Sequence, residues 1–210
     1  MISGMMNFNP EEYDSWYERH RDIYEAELRA LEDIVKKYPS PKLEMGVGTG
    51  RFASVLGIEY GVDPDGEMLK FAERRGIKVI KAMGEDLPFR ANKFYLVLIS
   101  TTLPFFKDAK RVVREAYRVL KPQGAIVIAF IPRDSYFGKK YTKMGKEGDE
   151  RFRDAHFYTL EEVEKLLENL FYITRMRSTL IGEEIRLEVK DGYDPDASFV
   201  VVEGVKIQNL

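Results

Sequence analysis

A chain of 210 residues, 44% of them hydrophobic, can bury one sizeable core but is short for two comfortable domains. Its 33 Lys and Arg nearly cancel 35 Asp and Glu, for a formal charge of -2, so the surplus of positive charge that drives phosphate-backbone binding is missing and no nucleic-acid partner is expected. The absence of cysteine excludes a disulfide framework, a cysteine-held zinc or iron–sulfur centre and any thiolate nucleophile.

Residues 1–8 lack the basic start and apolar stretch of a secretory signal, and the longest apolar runs, at 95–99 and 125–131, fall far below the ~20 residues that span a bilayer. The expectation is a cytoplasmic monomer or homodimer with no membrane partner. Over residues 9–38, Tyr13, Trp16, Tyr17, His20, Tyr24, Leu28, Leu31 and Val35 recur at three- and four-residue steps, one apolar stripe of a helix. Asn9, Pro10, Glu11 and Glu12 provide its cap, first-turn proline and first-turn acids, and Pro39-Ser40-Pro41 stops it. Short apolar runs then alternate with helix-like stretches. Strands are expected at 43–45, 58–62, 78–80, 95–99 and 125–131, and helices at 66–75 and 109–120.

Lys121-Pro122-Gln123-Gly124 marks a tight turn into the fifth strand. Residues 132–157 turn polar, with Gly138, Gly145 and Gly148 among lysines and acids, and are expected to form a surface insertion, partly helical or mobile. Lys139, Lys140, Lys143 and Lys146 within it are offset by Glu147, Asp149 and Glu150, as on a solvated loop. Thr159 and Glu162 form a capping box opening a helix over 159–169, and late strands follow at 171–179 and 199–207, with room for a hairpin around Asp191-Gly192-Tyr193. Strands that are apolar on both faces and alternate with helices predict a doubly wound, mostly parallel α/β sheet in a single domain.

The chemistry concentrates in Glu44-Met45-Gly46-Val47-Gly48-Thr49-Gly50, where the first strand should end and the next helix begin. Glycines at alternate positions let the backbone turn sharply and approach a ligand closely. A dinucleotide fingerprint needs glycine three places after Gly48, where this chain has Arg51, and a Walker loop needs Lys-Ser/Thr after Gly50. Both fail, which weighs against a nicotinamide-dependent oxidoreductase.

The stretch resembles motif I of the class I S-adenosylmethionine-dependent methyltransferases. Gly61-Val62-Asp63-Pro64 is similar to the end of that family's second strand, where an acid accepts hydrogen bonds from two ribose hydroxyls; Gly84-Glu85-Asp86-Leu87-Pro88-Phe89 resembles its adenine-side loop, residues 94–100 its fourth strand, and residues 116–124 its entry to the fifth. The resemblance implies a Rossmann-like, seven-stranded sheet under an N-terminal helical lid, with S-adenosylmethionine as cofactor. It also implies cofactor contacts from Glu44, Gly46, Val47, Gly48, Gly50, Asp63, Pro64, Met68, Met83, Gly84, Glu85 and Ser100. Three departures stand out: Met83 occupies the place of the acid that bonds the adenine amino group, Phe94-Tyr95 replaces Phe-Asp, and only residues 51–56 remain for the first sheet helix.

The acceptor is less legible, because a methyl group activated as a sulfonium needs positioning more than acid–base help. By the same resemblance Tyr13, Trp16, Tyr17 and His20 belong to a lid or acceptor pocket, where aromatic faces suit a sulfonium or an amine; plain helix packing is the alternative. His20 has two readings, a general base or a satisfied core residue, and His156 another two, helix entry or acceptor pocket. Ser100-Thr101-Thr102-Leu103-Pro104-Phe105 lacks the Asn/Asp-Pro-Pro-Tyr/Phe motif of exocyclic-amine methylation, and Ser100 replaces a ligand of the magnesium-dependent catechol enzymes. A metal-free transfer to a small molecule is the leading expectation; a cofactor-binding scaffold without acceptor chemistry is the alternative.

Overall fold

A computed structural model describes residues 9–208, so the expectation for residues 1–8 lies outside them. Asn9 caps α1 (Pro10–Arg19), its side chain accepting the Glu11 and Glu12 N–H groups at 2.9 and 3.1 Å. The aromatic stripe is not carried by one helix, because the chain breaks at His20 (φ -120°, ψ 46°) before α2 (Arg21–Lys36). The backbone N–H and ring Nδ1 of His20 both engage the Trp16 carbonyl, at 3.0 and 2.8 Å, and the ring stacks on the indole at 4.4 Å. A side chain competing for a helical carbonyl is a local reason for the break.

The sheet strands are β1 (Lys42–Met45), β2 (Tyr60–Asp63), β3 (Lys78–Lys81), β4 (Phe94–Ser100), β5 (Leu120–Phe130), β6 (Phe171–Ile181), β7 (Lys190–Asp191) and β8 (Ala197–Lys206). Their spatial order is β3-β2-β1-β4-β5-β8-β6-β7, the first five parallel and β8, β6 and β7 joined antiparallel. This is the expected Rossmann-like α/β class with eight strands in place of seven, the extra one being the two-residue β7 at the hairpin around Asp191. The turn at 121–124 lies inside β5 as an irregularity between the Phe94–Leu120 and Leu96–Ala125 pairs. Gly124 has to be small there, since a Cβ would sit 2.9 Å from the Lys121 carbonyl oxygen.

Between the strands run α3 (Arg51–Leu56), α4 (Gly66–Arg74), α5 (Ala109–Val119), α6 (Tyr136–Lys146) and α7 (Leu160–Leu167). Side-chain alternation sorts the strands into two cores. Val97, Ile99, Ile126 and Ile128 face α5 and α7, while Leu96, Leu98, Val127 and Ala129 face α2 and α3. Each fully buried Leu, Ile or Phe contributes roughly 1.5–3 kcal/mol, so both faces of the sheet are committed to the core and only its ends can carry a ligand.

Residues 132–157, expected as a surface insertion, contain α6. Ser135 caps it, accepting from the Gly138 N–H at 3.1 Å and donating to the Pro132 carbonyl at 2.7 Å. The lysines of α6 are exposed, but Phe137 and Tyr141 lie one turn apart and stack at 5.7 Å, and Tyr141 stacks on Phe152 at 4.7 Å. The insertion thus presents an aromatic face inward as well as a polar one outward. No helix among the described residues is long and apolar enough to cross a membrane.

Candidate active site

Two adjacent cavities open at the C-terminal ends of β1, β2 and β4. The smaller is lined by Gly46 and Gly48 from the loop after β1, Asp63 and Pro64 from the end of β2, Met68 from α4, Met83 and Gly84 after β3, and the segment 105–107. The loop is pinned to β2, the Gly46 and Val47 N–H groups donating to the Val62 carbonyl at 2.8 and 3.0 Å. Gly48 has φ +52°, and a Cβ there would find nothing within 4 Å, so this loop residue faces open cavity.

Asp63 is 6% exposed. Its Oδ2 accepts the Gly48 N–H at 3.0 Å and its Oδ1 the Asp65 N–H at 2.9 Å, with no cation paired to it. Burial is the main influence and pushes its carboxyl above the usual range, against those two N–H groups. Each oxygen retains acceptor capacity. Glu44 is also buried, its Oε2 without a hydrogen-bond partner, and burial and then Asp63 hold its carboxyl raised.

The remaining expected cofactor residues stand behind the cavity wall. Val47 packs against Gly61, where a Cβ would lie 2.7 Å from its side chain, and Gly50 caps α3 with its Cα side against Ala72. Ser100 is buried with its hydroxyl unpartnered. Glu85 accepts the Lys107 and Asp108 N–H groups at 2.9 and 3.2 Å and so braces the segment that closes the far side of the cavity. Phe106 in that segment lies so close to Gly84 that a Cβ would be 2.7 Å from its ring.

The larger cavity, about 620 Å³, lies between α1, α2, α6 and the end of β4. Tyr13, Thr102 and Phe105 line both cavities. Trp16, Tyr17, His20 and Glu27 supply the helical wall, and Phe137, Tyr141, Phe152 and Phe157 the opposite one. The Tyr13 and Tyr17 hydroxyls meet at 3.0 Å, and burial pushes both phenols well up. His20 lines this cavity, its ring Nδ1 held against the Trp16 carbonyl at 2.8 Å. His156 is exposed and lines neither cavity, its ring edge-on to Tyr158 at 4.6 Å.

A polar cluster invisible in the sequence ties α1 to the glycine loop. Asp14 of α1 accepts from the Thr49 hydroxyl at 2.7 Å, Arg51 Nε at 2.9 Å and a terminal nitrogen of Arg75 at 2.5 Å. Arg75 also donates to the Thr49 carbonyl at 2.7 Å, and Arg51 to Glu18 at 2.6 Å. The guanidiniums beside Asp14 hold its carboxyl low, against its partial burial. Sequence reasoning also missed Glu27, Thr102, Phe105 and the aromatic face of α6. The four-residue step from Phe137 to Tyr141 was the one available signal.

The architecture has close counterparts. A methyltransferase domain model matches residues 43–128. A crystal structure from Thermotoga maritima, titled a SAM-dependent methyltransferase and possible histamine N-methyltransferase, superposes with a TM-score of 0.85 at 34% identity, covering 93% of this chain and 94% of that one. The chain belongs to the S-adenosylmethionine-dependent methyltransferases. A protein of Methanocaldococcus jannaschii described as uncharacterized is 43% identical over 201 residues, 94% of this methyltransferase and 96% of the relative. The demethylmenaquinone methyltransferase of Thermotoga maritima is 32% identical over 108 residues, 48% of this chain and 47% of that one. These likenesses favour the methyltransferase over the nicotinamide oxidoreductase, and S-adenosylmethionine is the cofactor. The site fits it chemically: the open cradle at Gly48 admits close backbone approach, and the buried acids Asp63 and Glu44, lacking cationic partners, suit a ligand with a diol and positive charge.

Proposed function

We propose that this methyltransferase transfers a methyl group to a small molecule held in the larger cavity, without a metal ion. The observation that carries the reading is that Tyr13, Thr102 and Phe105 line both cavities, which sets a molecule held in one beside a molecule held in the other. When bound, S-adenosylmethionine supplies a methyl group already activated on a sulfonium. The protein's share is positioning, and effective molarities of well-oriented groups can provide ~7–11 kcal/mol of barrier reduction.

In this reading Gly46 and Gly48 let the loop backbone approach the cofactor, Asp63 accepts from its ribose hydroxyls, and Pro64, Met68, Met83 and Gly84 enclose the remainder. Glu44, Val47, Gly50, Glu85 and Ser100 act from behind, shaping and bracing the loop and the 105–107 segment. Tyr13, Trp16, Tyr17 and His20 form the lid that shields the reacting atoms, with Asp14 as its latch. Residues 9–38 and 132–157 then face each other across the acceptor, both parts of one domain over 1–210. Among the described residues no group of three or more His, Cys, Asp or Glu is arranged to hold an ion.

The test is formation of S-adenosylhomocysteine on incubation with S-adenosylmethionine and a panel of small amines, phenols and carbon acids in the presence of a chelator. Turnover with at least one of them is expected. Tight S-adenosylhomocysteine binding with no turnover on any acceptor would turn the assignment toward the scaffold reading, for which Met83 in place of an acid is the structural argument.

A further inference from the structure

Glu27 is the anomaly of the larger cavity. It sits on α2 at 5% exposure and lines the cavity, yet its Oε2 is shut off from solvent with no hydrogen-bond partner. Among the described residues neither carboxylate oxygen takes part in a hydrogen bond or ion pair, whereas another fully buried acid of the chain is completely partnered. Glu203, at 0% exposure, receives Tyr38, Thr174 and Lys37 at 2.5, 3.1 and 2.7 Å. An unpaired buried acid is destabilising to the fold by itself, so a chain that retains one inside a ligand-sized space gains from it only when something enters.

The surroundings define what can enter. The phenols of Tyr13, Tyr17, Tyr24 and Tyr141 all feel its charge, and Tyr13, Tyr17 and Tyr141 line the same cavity together with Trp16 and Phe137. Aromatic faces around an unpaired carboxylate attract a cation twice, through the ring quadrupoles and through the charge. A bare metal ion would find too few oxygen donors, because no three acidic or histidine side chains converge among the described residues. The two arginines and the lysine that line the cavity do not serve as partners: Arg151 is bound to Asp149 at 2.6 Å, and Arg19 and Lys140 are exposed. Burial alone raises the Glu27 carboxyl to about 8, so by itself it is held largely protonated near neutral pH, and an entering ammonium restores the carboxylate by supplying the charge that burial removed.

We propose that the acceptor cavity takes a small organic amine with an apolar or aromatic body, and that the Glu27 carboxylate pairs with its ammonium and selects it over an alcohol or acid of the same shape. The proposal deepens the reading of this cavity as the acceptor site and rests on it. At about 620 Å³ the cavity lies within the ~300–1,000 Å³ of small-molecule sites, room for a single ring with a short side chain.

Calorimetric titration separates the two levels. S-adenosylhomocysteine is titrated first; failure to bind would defeat the methyltransferase site itself. With it bound, phenethylamine is expected to bind, with phenethyl alcohol and phenylacetate at least about tenfold weaker, as the loss of a charge-assisted contact implies. Glu27→Gln, which preserves shape and removes the charge, should lower phenethylamine affinity at least about tenfold. The same variant should bind S-adenosylhomocysteine as the parent does and melt at the same temperature or higher, which distinguishes a lost contact from a lost fold. Phenethylamine failing to bind while S-adenosylhomocysteine binds, equal affinity for the amine and the alcohol, or undiminished amine binding by Glu27→Gln would each overturn the proposal.

Discussion

Replacing Asp14 by Ala tests whether the lid is held by charge or merely by aromatic packing. The carboxylate receives three side-chain hydrogen bonds, from Thr49, Arg51 and Arg75, at 2.7, 2.9 and 2.5 Å. Hydrogen bonds to a charged group contribute ~1.5–3 kcal/mol each, but the sum overstates the loss. Arg51 retains Glu18 and the Asp14 carbonyl, at 2.6 and 3.1 Å, and Arg75 retains the Thr49 carbonyl at 2.7 Å, so neither cation is left bare. Tyr17 and Tyr24 also stay packed on Phe52, with ring centroids 6.0 and 5.4 Å away. A net loss of about 2–3 kcal/mol follows, or roughly 5–10 °C in melting temperature for a chain of this size. Tyr13, the residue preceding Asp14, lines both cavities, so S-adenosylhomocysteine affinity should fall as well, by about tenfold, or ~1.4 kcal/mol. Scanning fluorimetry and calorimetry on Asp14→Ala, Arg75→Ala and the double variant measure both quantities. A coupling of ~1–3 kcal/mol between the two positions is expected. Additivity within ~0.3 kcal/mol, or unchanged cofactor affinity, would show that the latch holds nothing.

Other perturbations address the cavities directly. Asp63→Ala should weaken S-adenosylhomocysteine binding by a few kcal/mol, at ~1.5–3 kcal/mol for each of two charge-assisted bonds, and calorimetry showing parental affinity would refute the ribose assignment. Gly48→Val fills open cavity and also forces a β-branched residue to φ +52°; cofactor binding should be abolished while circular dichroism still reports the fold, at a stability cost of roughly 1–2 kcal/mol. For Glu27 the folded carboxyl is raised from 4.5 to about 8, so the folded state binds the extra proton between those values. Stability is therefore greatest below that window and falls as pH rises through it, by up to ~1.4 kcal/mol per pH unit from this group. Denaturant melts of the parent and of Glu27→Gln from mild acid to pH 8 should diverge with that sign, and parallel curves would mean that Glu27 is not dry.

The parallel sheet was readable from local signals, because strands buried on both faces have no choice but to be apolar throughout, as in β4 and in β5 beyond Gly124. The caps at Asn9 and Thr159 were equally legible, since each depends on residues within three positions. The cofactor side shares this locality: Gly46, Gly48 and Asp63 occupy two adjacent strand ends, and the pairing of β1 with β2 brings them together wherever the rest of the chain goes. The break at His20 was not legible, because the competing hydrogen bond and ring stack leave the apolar period undisturbed.

Composition and motif order thus suffice for the class of fold, the cofactor and the strand ends that face it, since each follows from residues close in the chain or from a single strand pairing. The larger cavity is a product of folding alone. Glu27 reads as one more helical acid, and only the convergence of α1, α2 and α6 removes its solvent and surrounds it with rings drawn from segments more than a hundred residues apart. The Asp14 cluster likewise joins α1 to the loop after β1 and to the end of α4. Desolvation and long-range pairing have no period and no spacing, so a linear chain carries no local mark of them.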